Sequence, residues 1–459
     1  MGTLSGSLSI ALQALNAEQG AVAVTSNNIA NVNTPDYARQ VPVFEENPPL
    51  ADGPLEFGTG VTLEQAQTIR DNILQIRIDQ ENQQSGQLNS FVNSMNQLQA
   101  LFNEDSGAGL QTPLSNFFSA WQQLSTDPTN LNYRQNVITA AQSLADAFHQ
   151  ITSNLTTQQS NLNLSVQQTV QQVNTLTAQI AQLNGQVAPL SGAGEDPSGL
   201  INQRDQLIEQ LSTLVDVNYV DAGNNSLTLT TTSGTPLVVG NQSFSLTTAT
   251  DPATGLTDIY SQETNISANI SSGKLAGELQ IRDQQIPSVL GNLDTLAAGL
   301  ANAVNSQSQL GTDLNGNPGQ DFFVPPPASG QGAAEALAVA VSNPSQIAAS
   351  SDGKAADNGN ANAIAAFANQ AIVAGETPTA FYAGMVSGIG DTLSNAQSEQ
   401  SANQLVLQQL DNQRGARSGV SLNEEAANLM CYQQAYDAAA RVVTIISDLT
   451  QSAVELGQD

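Results

Sequence analysis

Apolar residues return at alternating spacings of four and three near both ends of this chain. Leu4, Leu8, Ala11, Leu15, Glu18, Val22, Thr25, Ile29 and Val32 keep that spacing, and seven of the nine are apolar. This is the seam of an amphipathic or coiled-coil helix. Leu429, Tyr432, Tyr436, Ala439, Val443, Ile446, Thr450 and Ala453 repeat the spacing at the other end, with Leu422 a further apolar position ahead of them. Ser421 followed by Glu424 has the pattern of a capping box, a helix start. No hydrophobic segment is evident beside either seam, so the two helices are expected to pair with each other or with other copies.

Between the ends the period changes twice. Pro35 in Asn33-Thr34-Pro35-Asp36-Tyr37 ends the first helix, and the Pro- and Gly-rich stretch 41–60 reads as extended or looped. Leu88, Phe91, Met95, Leu98 and Phe102 then restore helical spacing, as do Val166, Thr169, Val173, Leu176, Ile180, Leu183 and Val187. A helix over 151–187 would be a rod of roughly 55 Å. Residues 191–197 read as a loop and 200–214 as a short helix. Alternation with a period of two follows at Leu227/Leu229, Leu237/Val239 and Phe244/Leu246, separated by Gly-containing turns, and predicts a small β-rich segment ending near Ser272. Leu275, Leu279, Ile286, Leu290, Leu293 and Leu296 return to helical spacing. A Gly/Pro loop covers 311–330, and Ala-rich helices are expected from there to the end.

The expected fold is therefore mainly α with a β-rich insert, an elongated and nested multi-domain plan. Residues 1–38 with 418–459 would form a paired, coiled-coil-like terminal domain. Residues 39–215 with 273–417 would form a long helical rod, and 216–272 a small outer β domain.

Composition narrows the function. Forty-one acidic residues against eleven basic ones give a net charge of −30. Such a surface repels phosphate backbones and anionic lipid, which argues against nucleic-acid partners and membrane binding. Only 11% of residues are charged, so the surface is expected to be built from Gln, Asn, Ser and Thr. Such a surface suits close subunit packing, because few charges need desolvation; it equally suits simple solubility. Cys431 is the single cysteine, which leaves no internal disulfide framework. No apolar run approaches the ~18 residues of a membrane-spanning helix, and no basic residue precedes Arg39, so export would proceed without a cleaved signal.

Candidate chemistry is sparse. His149 is the only histidine and reads as a surface or packing residue of a helix; one His and one Cys do not make a common zinc site. Neither a G-x-S-x-G elbow nor a phosphate-cradling G-x-x-x-x-G-K-[ST] occurs. The loop with Asp313, Asn315, Asn317 and Asp321 lacks the sixth-position glycine and twelfth-position acid of a calcium loop, so Asx-turn chemistry accounts for it. Glu424 and Glu425 fall in a first helical turn, where cap and macrodipole explain them. No catalytic residue, metal site or cofactor is expected.

Several segments resemble the flagellar axial family of rod, hook and hook-associated proteins. Ala14-Leu15-Asn16 and Ser26-Asn27-Asn28-Ile29-Ala30-Asn31-Val32-Asn33-Thr34-Pro35-Asp36-Tyr37 are similar to its N-terminal signature, with Asp36 where the family usually has Gly. Gly273-Lys274-Leu275-Ala276-Gly277-Glu278-Leu279-Gln280-Ile281-Arg282-Asp283, the loop from Gly311 to Asp321-Phe322-Phe323, and 418–441 resemble hook-associated members; Asn423 replaces the usual Asp there. The likeness spans nearly the whole chain, although only Val324-Pro325-Pro326-Pro327 and a Gly-rich turn stand where some members carry a further domain.

The resemblance implies a non-enzymatic subunit at the junction of hook and filament, outside the cell and exported through the flagellar channel. Leu4, Leu8, Ala11, Leu15, Val22, Ile29 and Val32 would form one assembly seam. Leu422, Leu429, Tyr432, Tyr436, Ala439, Val443 and Ile446 would form the other. Partners implied are further copies in a ring, the hook protein, a filament-side hook-associated protein, and a cytosolic chaperone on the C-terminal helix. Another axial subunit, such as the hook protein or a more distal hook-associated protein, and a coiled-coil-ended secreted protein are the alternatives.

Overall fold

The computed structural model describes residues 2–34, 37–52, 55–104, 107, 109–193 and 195–456. The chain opens with helix α1 (Gly2–Ala30), strands β1 (Gln40–Glu46), β2 (Leu50–Asp52), β3 (Leu55–Phe57) and β4 (Val61–Thr68), and helices α2 (Asn72–Ala100), α3 (Gln111–Thr126), α4 (Leu131–Ala193) and α5 (Ser198–Leu214). Seven short strands follow: β5 (Asn218–Asp221), β6 (Leu227–Thr230), β7 (Pro236–Val239), β8 (Gln242–Ser243), β9 (Leu246–Thr250), β10 (Thr257–Ser261) and β11 (Thr264–Asn265). Helix α6 (Gly273–Gln280) runs through a π-helical turn at Ile281–Gln285 into α7 (Ile286–Gln309). The short α8 (Ala333–Ala336) and α9 (Gly359–Ala366) precede the long α10 (Pro378–Ser418) and α11 (Leu422–Leu456). The class is mainly α with a β-rich insert. The turn at Pro35-Asp36 lies outside the described residues.

The chain divides into two compact units. The first comprises Met1–Gln84, Gln172–Leu246 and Asn403–Asp459. Here α11 packs along α1, and the antiparallel pair β1/β4 lies against α1. Leu74 and Ile78 of α2 bury with Leu410 of α10. The sheet β5-β6-β7-β8 is attached to α4 by the buried amide of Asn184. Asn184 donates to Leu227 O (2.7 Å) and Gly240 O (3.0 Å) and accepts from Leu227 N (3.2 Å) and Arg204. Asn174 makes the same two-way bond with the backbone of Leu246. Asparagine at these helix positions satisfies strand ends that would otherwise be buried without partners.

The second unit, Ser85–Gln171 with Thr247–Ala402, holds the large core. Trp121, Phe117 and Phe118 of α3 interlock with Phe322 and Phe323, ring centroids 5.0–6.4 Å apart. Buried Asn305 of α7 accepts from the backbone N–H of Phe322 (2.9 Å) and Phe323 (2.8 Å) and donates to Phe323 O (2.9 Å), which fixes the Phe-Phe pair. The 273–283 motif is also a packing device. A side chain on Gly277 would meet Gln87 O at 2.5 Å, so only glycine lets α6 lie this close to α2. Glu278 is buried, accepts from Ser165 and Thr169, and pairs with Lys274 at 3.4 Å. Buried Arg282 donates to Thr257 O (2.7 Å) and Asn163 (3.0 Å) and pairs with Asp283.

The stretch 41–60, expected to be extended or looped, is extended where β1 pairs with β4, from Gln40↔Thr68 to Glu46↔Val61 across a bulge at Val43/Phe44, and this pair covers part of α1. Two expectations need correction. Helix α4 runs through Pro189 to Ala193, so the break expected at 191 comes later, one lost N–H being tolerated near a helix end. The Ala-rich stretch from 331 to 377 is mostly irregular, with only α8, α9 and single 3-10 turns. Its small side chains are used for close packing instead, with Ala333, Ala334, Ala348, Ala349 and Ala361 all buried, so tertiary contact overrides alanine's helix propensity.

Candidate assembly interface

The N-terminal signature surrounds one buried asparagine. Asn28 is fully buried; its amide donates to Gln40 O (2.7 Å) and to Glu425 Oε2 (3.0 Å). Its oxygen accepts from Tyr37 O–H (3.0 Å) and Gln40 N–H (2.9 Å). One side chain thereby joins the end of α1, the first strand and the start of α11. Arg39 completes the lock, with its guanidinium 2.8 Å from Glu424 and 2.7 Å from Glu425, and its N–H donating to Ser418 O (2.9 Å). Cap and macrodipole therefore do not suffice for these carboxylates. Glu424 N–H lies 3.5 Å from Ser421 Oγ, a long cap, while both side chains turn to Arg39. Burial, and then the Glu425 charge, raise the Tyr37 hydroxyl above its ordinary range.

From this lock α1 and α11 run antiparallel. Of the N-terminal seam, Ala11 is buried, while Leu4, Leu8, Leu15, Val22, Ile29 and Val32 are half-buried. The most buried line, Ala11, Ala17, Ala21, Val24, Thr25 and Asn28, is rotated from it. The rotation follows from a second neighbour. Gly20 closes on Leu63 of β4, and Gln13 accepts from Asn47 (2.7 Å), so α1 divides its surface between α11 and the hairpin. Of the C-terminal seam, Ile446 is buried; Leu429, Tyr432, Ala439 and Val443 are half-buried; Leu422 and Tyr436 are exposed. Tyr432 stacks at a tilt against Phe44, centroids 6.3 Å apart.

Helix α11 also carries a second apolar stripe, one residue out of register with the first seam. Cys431, Ala435, Ala438, Val442, Ile445 and Leu449 repeat the same four-three spacing on another face. Val442, Ile445 and Leu449 are 45%, 57% and 53% exposed. The spacing itself is legible in the sequence, at a register shifted by one residue from the seam.

A cleft of about 260 Å³ beside Tyr37 is lined by Arg70, Asp71, Asp411 and Arg414. Its charges are paired, Arg414 with Asp411 (2.9 Å) and Glu209 (3.2 Å), and Arg417 with Asp71. Among the described residues no group of three or more His, Cys, Asp or Glu is placed to hold a metal ion, and no helix is long and apolar enough to cross a membrane. Asp313 forms an Asx turn, accepting from the N–H groups of Asn315 and Asn317 at 2.8 Å. His149 is half-buried on α4.

Paired terminal helices locked by a shared signature define a subunit of the flagellar rod and hook class. Residues 8–37 match the flagella basal body rod protein family, and 416–456 match the C-terminal family of flagellar basal body rod FlgEFG proteins. Residues 95–323 match the flagellar hook-associated protein FlgK helical domain. Flagellar hook-associated protein 1 of Bacillus subtilis is 31% identical, over 97% of this chain and 97% of its own. The Salmonella typhimurium protein of the same name is 26% identical over 96% and 98%. That alignment runs over 542 positions, more than the 459 residues here, so the Salmonella protein carries segments this chain lacks. The fold is similar, at TM-score 0.67 and 19% identity, to the flagellar hook junction protein FlgK from Burkholderia pseudomallei, over 75% of this chain and all of that one. The chain belongs to the flagellar hook-associated protein 1 family and is a structural subunit of the hook–filament junction.

Proposed function

We propose that the subunit joins hook to filament by packing its terminal helix pair against those of neighbouring copies in a ring. The observation that carries this reading is the exposed stripe Val442, Ile445 and Leu449 on α11, on a face other than the one turned to α1. A helix with two apolar faces at coiled-coil spacing has one partner inside the chain and room for another outside it. In this reading the hook protein meets one side of the ring and a filament-side hook-associated protein the other. A cytosolic chaperone covers α11 until the chain passes through the flagellar export channel. The subunit carries no cofactor and performs no catalysis.

Placing a charge in the stripe tests the reading. Ile445→Asp leaves the purified chain's melting unchanged, because the side chain is already in water, yet cells carrying it show hooks without filaments under the microscope. Normal filaments on that mutant overturn the proposal.

A further inference from the structure

Outside the terminal pair, the first unit contains a buried carboxylate that faces only neutral donors. Asp79 of α2 is 2% exposed. Tyr219 of β5 donates to one of its oxygens (2.7 Å) and Gln75 to the other (3.1 Å). Among the described residues no cation lies within salt-bridge distance of it. The charged groups that face the cluster are engaged elsewhere. Arg414 of α10 pairs with Asp411 and Glu209, and Glu209 of α5 adds a like charge. Arg70 and Arg204, on the Tyr219 side, pair with Asp205. An ionised carboxylate in such a place loses its hydration with only two hydrogen bonds in return.

We propose that Asp79 is a proton-operated latch that sets how firmly strand β5 is seated on helix α2. Burial, with some help from Glu209, lifts its carboxyl to about 7, against the opposing bonds from Tyr219 and Gln75 and the charge of Arg414. When β5 lifts away, water reaches the group and its ordinary value near 3.8 returns. The closed state then binds the proton more tightly than the open one. Its advantage is complete below about pH 4, declines as pH rises toward 7, and is constant above that. Within that window opening becomes more frequent by up to about ten-fold per pH unit. Strand β5 carries the edge of the four-stranded sheet, and Gln83 of α2 donates to Val217 O (2.7 Å) just before it, so the whole sheet base shares the latch.

The test is hydrogen exchange by mass spectrometry on the full-length chain from pH 5 to pH 8, corrected for the intrinsic pH dependence of exchange. Wild-type peptides covering 72–84 and 208–221 lose protection as pH rises and level off above 7, while those of α3 stay flat. Asp79→Asn removes the slope. Tyr219→Phe deletes a donor to the carboxylate and moves the levelling-off to higher pH, which keeps the test decisive if Asp79→Asn fails to fold. Wild-type protection that is the same at pH 5 and pH 8 overturns the latch, as does an unchanged slope in Asp79→Asn or an unmoved one in Tyr219→Phe. Filament attachment does not enter this readout, so the assembly reading and the latch fail independently.

Discussion

In the second unit Phe117, Phe118, Trp121, Phe322 and Phe323 fill a single core, and α7 adds Leu293, Leu296 and Leu300 beneath them. Along α1 the buried positions are Ala11, Ala17, Ala21, Val24, Thr25 and Asn28. Each aromatic ring buries 150–250 Å² and stabilises the unit by itself, whereas an alanine seam gains little apolar burial and brings two backbones close together. A core of the first kind is complete within one chain. A seam of the second kind leaves large side chains of the same helices, such as Ile445 and Leu449, turned to water. The difference teaches that one chain holds a core closed by large aromatic side chains beside a helix pair closed by small ones.

Removing a ring from the aromatic core should have the largest effect. Trp121→Ala is expected to cost about 3–5 kcal/mol, through lost transfer energy and a residual cavity, and to lower the melting of the second unit in calorimetry. A cost below about 1 kcal/mol would mean that the core is not the anchor its packing suggests. Asn28→Ala comes next, at about 1–3 kcal/mol, because the Gln40 backbone loses its partner and buried Glu425 is left with Arg39 alone. That loss should appear as faster exchange in 1–30 and 422–456 with the second unit unaffected; a uniform loss would erase the distinction between the regions. Val442→Ser should be the mildest, within about 0.5 kcal/mol for the isolated chain, since the side chain is already half in water. Destabilisation beyond about 1 kcal/mol in chemical denaturation would show that the outer stripe is ordinary core.

Much of this was legible from periodicity. Along α11 the expected seam is only partly turned inward: Ile446 is buried and Leu429, Tyr432, Ala439 and Val443 are half-buried, while Leu422 and Tyr436 are exposed. The α1 seam was found a partial turn away from its most buried line, because a helix with two neighbours buries an average of two faces and a single stripe cannot describe it. The β1/β4 pairing was not legible because Pro42 and the glycines at 53, 58 and 60 look like loop composition, and the strands form only by pairing residues 15 to 28 positions apart, from Glu46↔Val61 to Gln40↔Thr68. Arg39, Glu424 and Glu425 were visible as residues, but their common lock was not.

The sequence by itself determined where most of the helices and the β-rich insert fall, which helix faces are apolar, and how acidic the surface is, since these follow from local spacing and composition. Only the tertiary structure decided what the buried polar residues do. Asn28 finds Glu425 across 397 positions and Arg134 finds Ile347 O across 213. Asn174, Asn184 and Asn305 each satisfy a backbone segment that no local pattern announces. The physical reason is that an apolar side chain is buried by any apolar neighbour, so its periodicity reads directly from the chain. A buried amide or carboxylate is stable only opposite a partner of defined geometry, and that partner is chosen when the whole chain has folded.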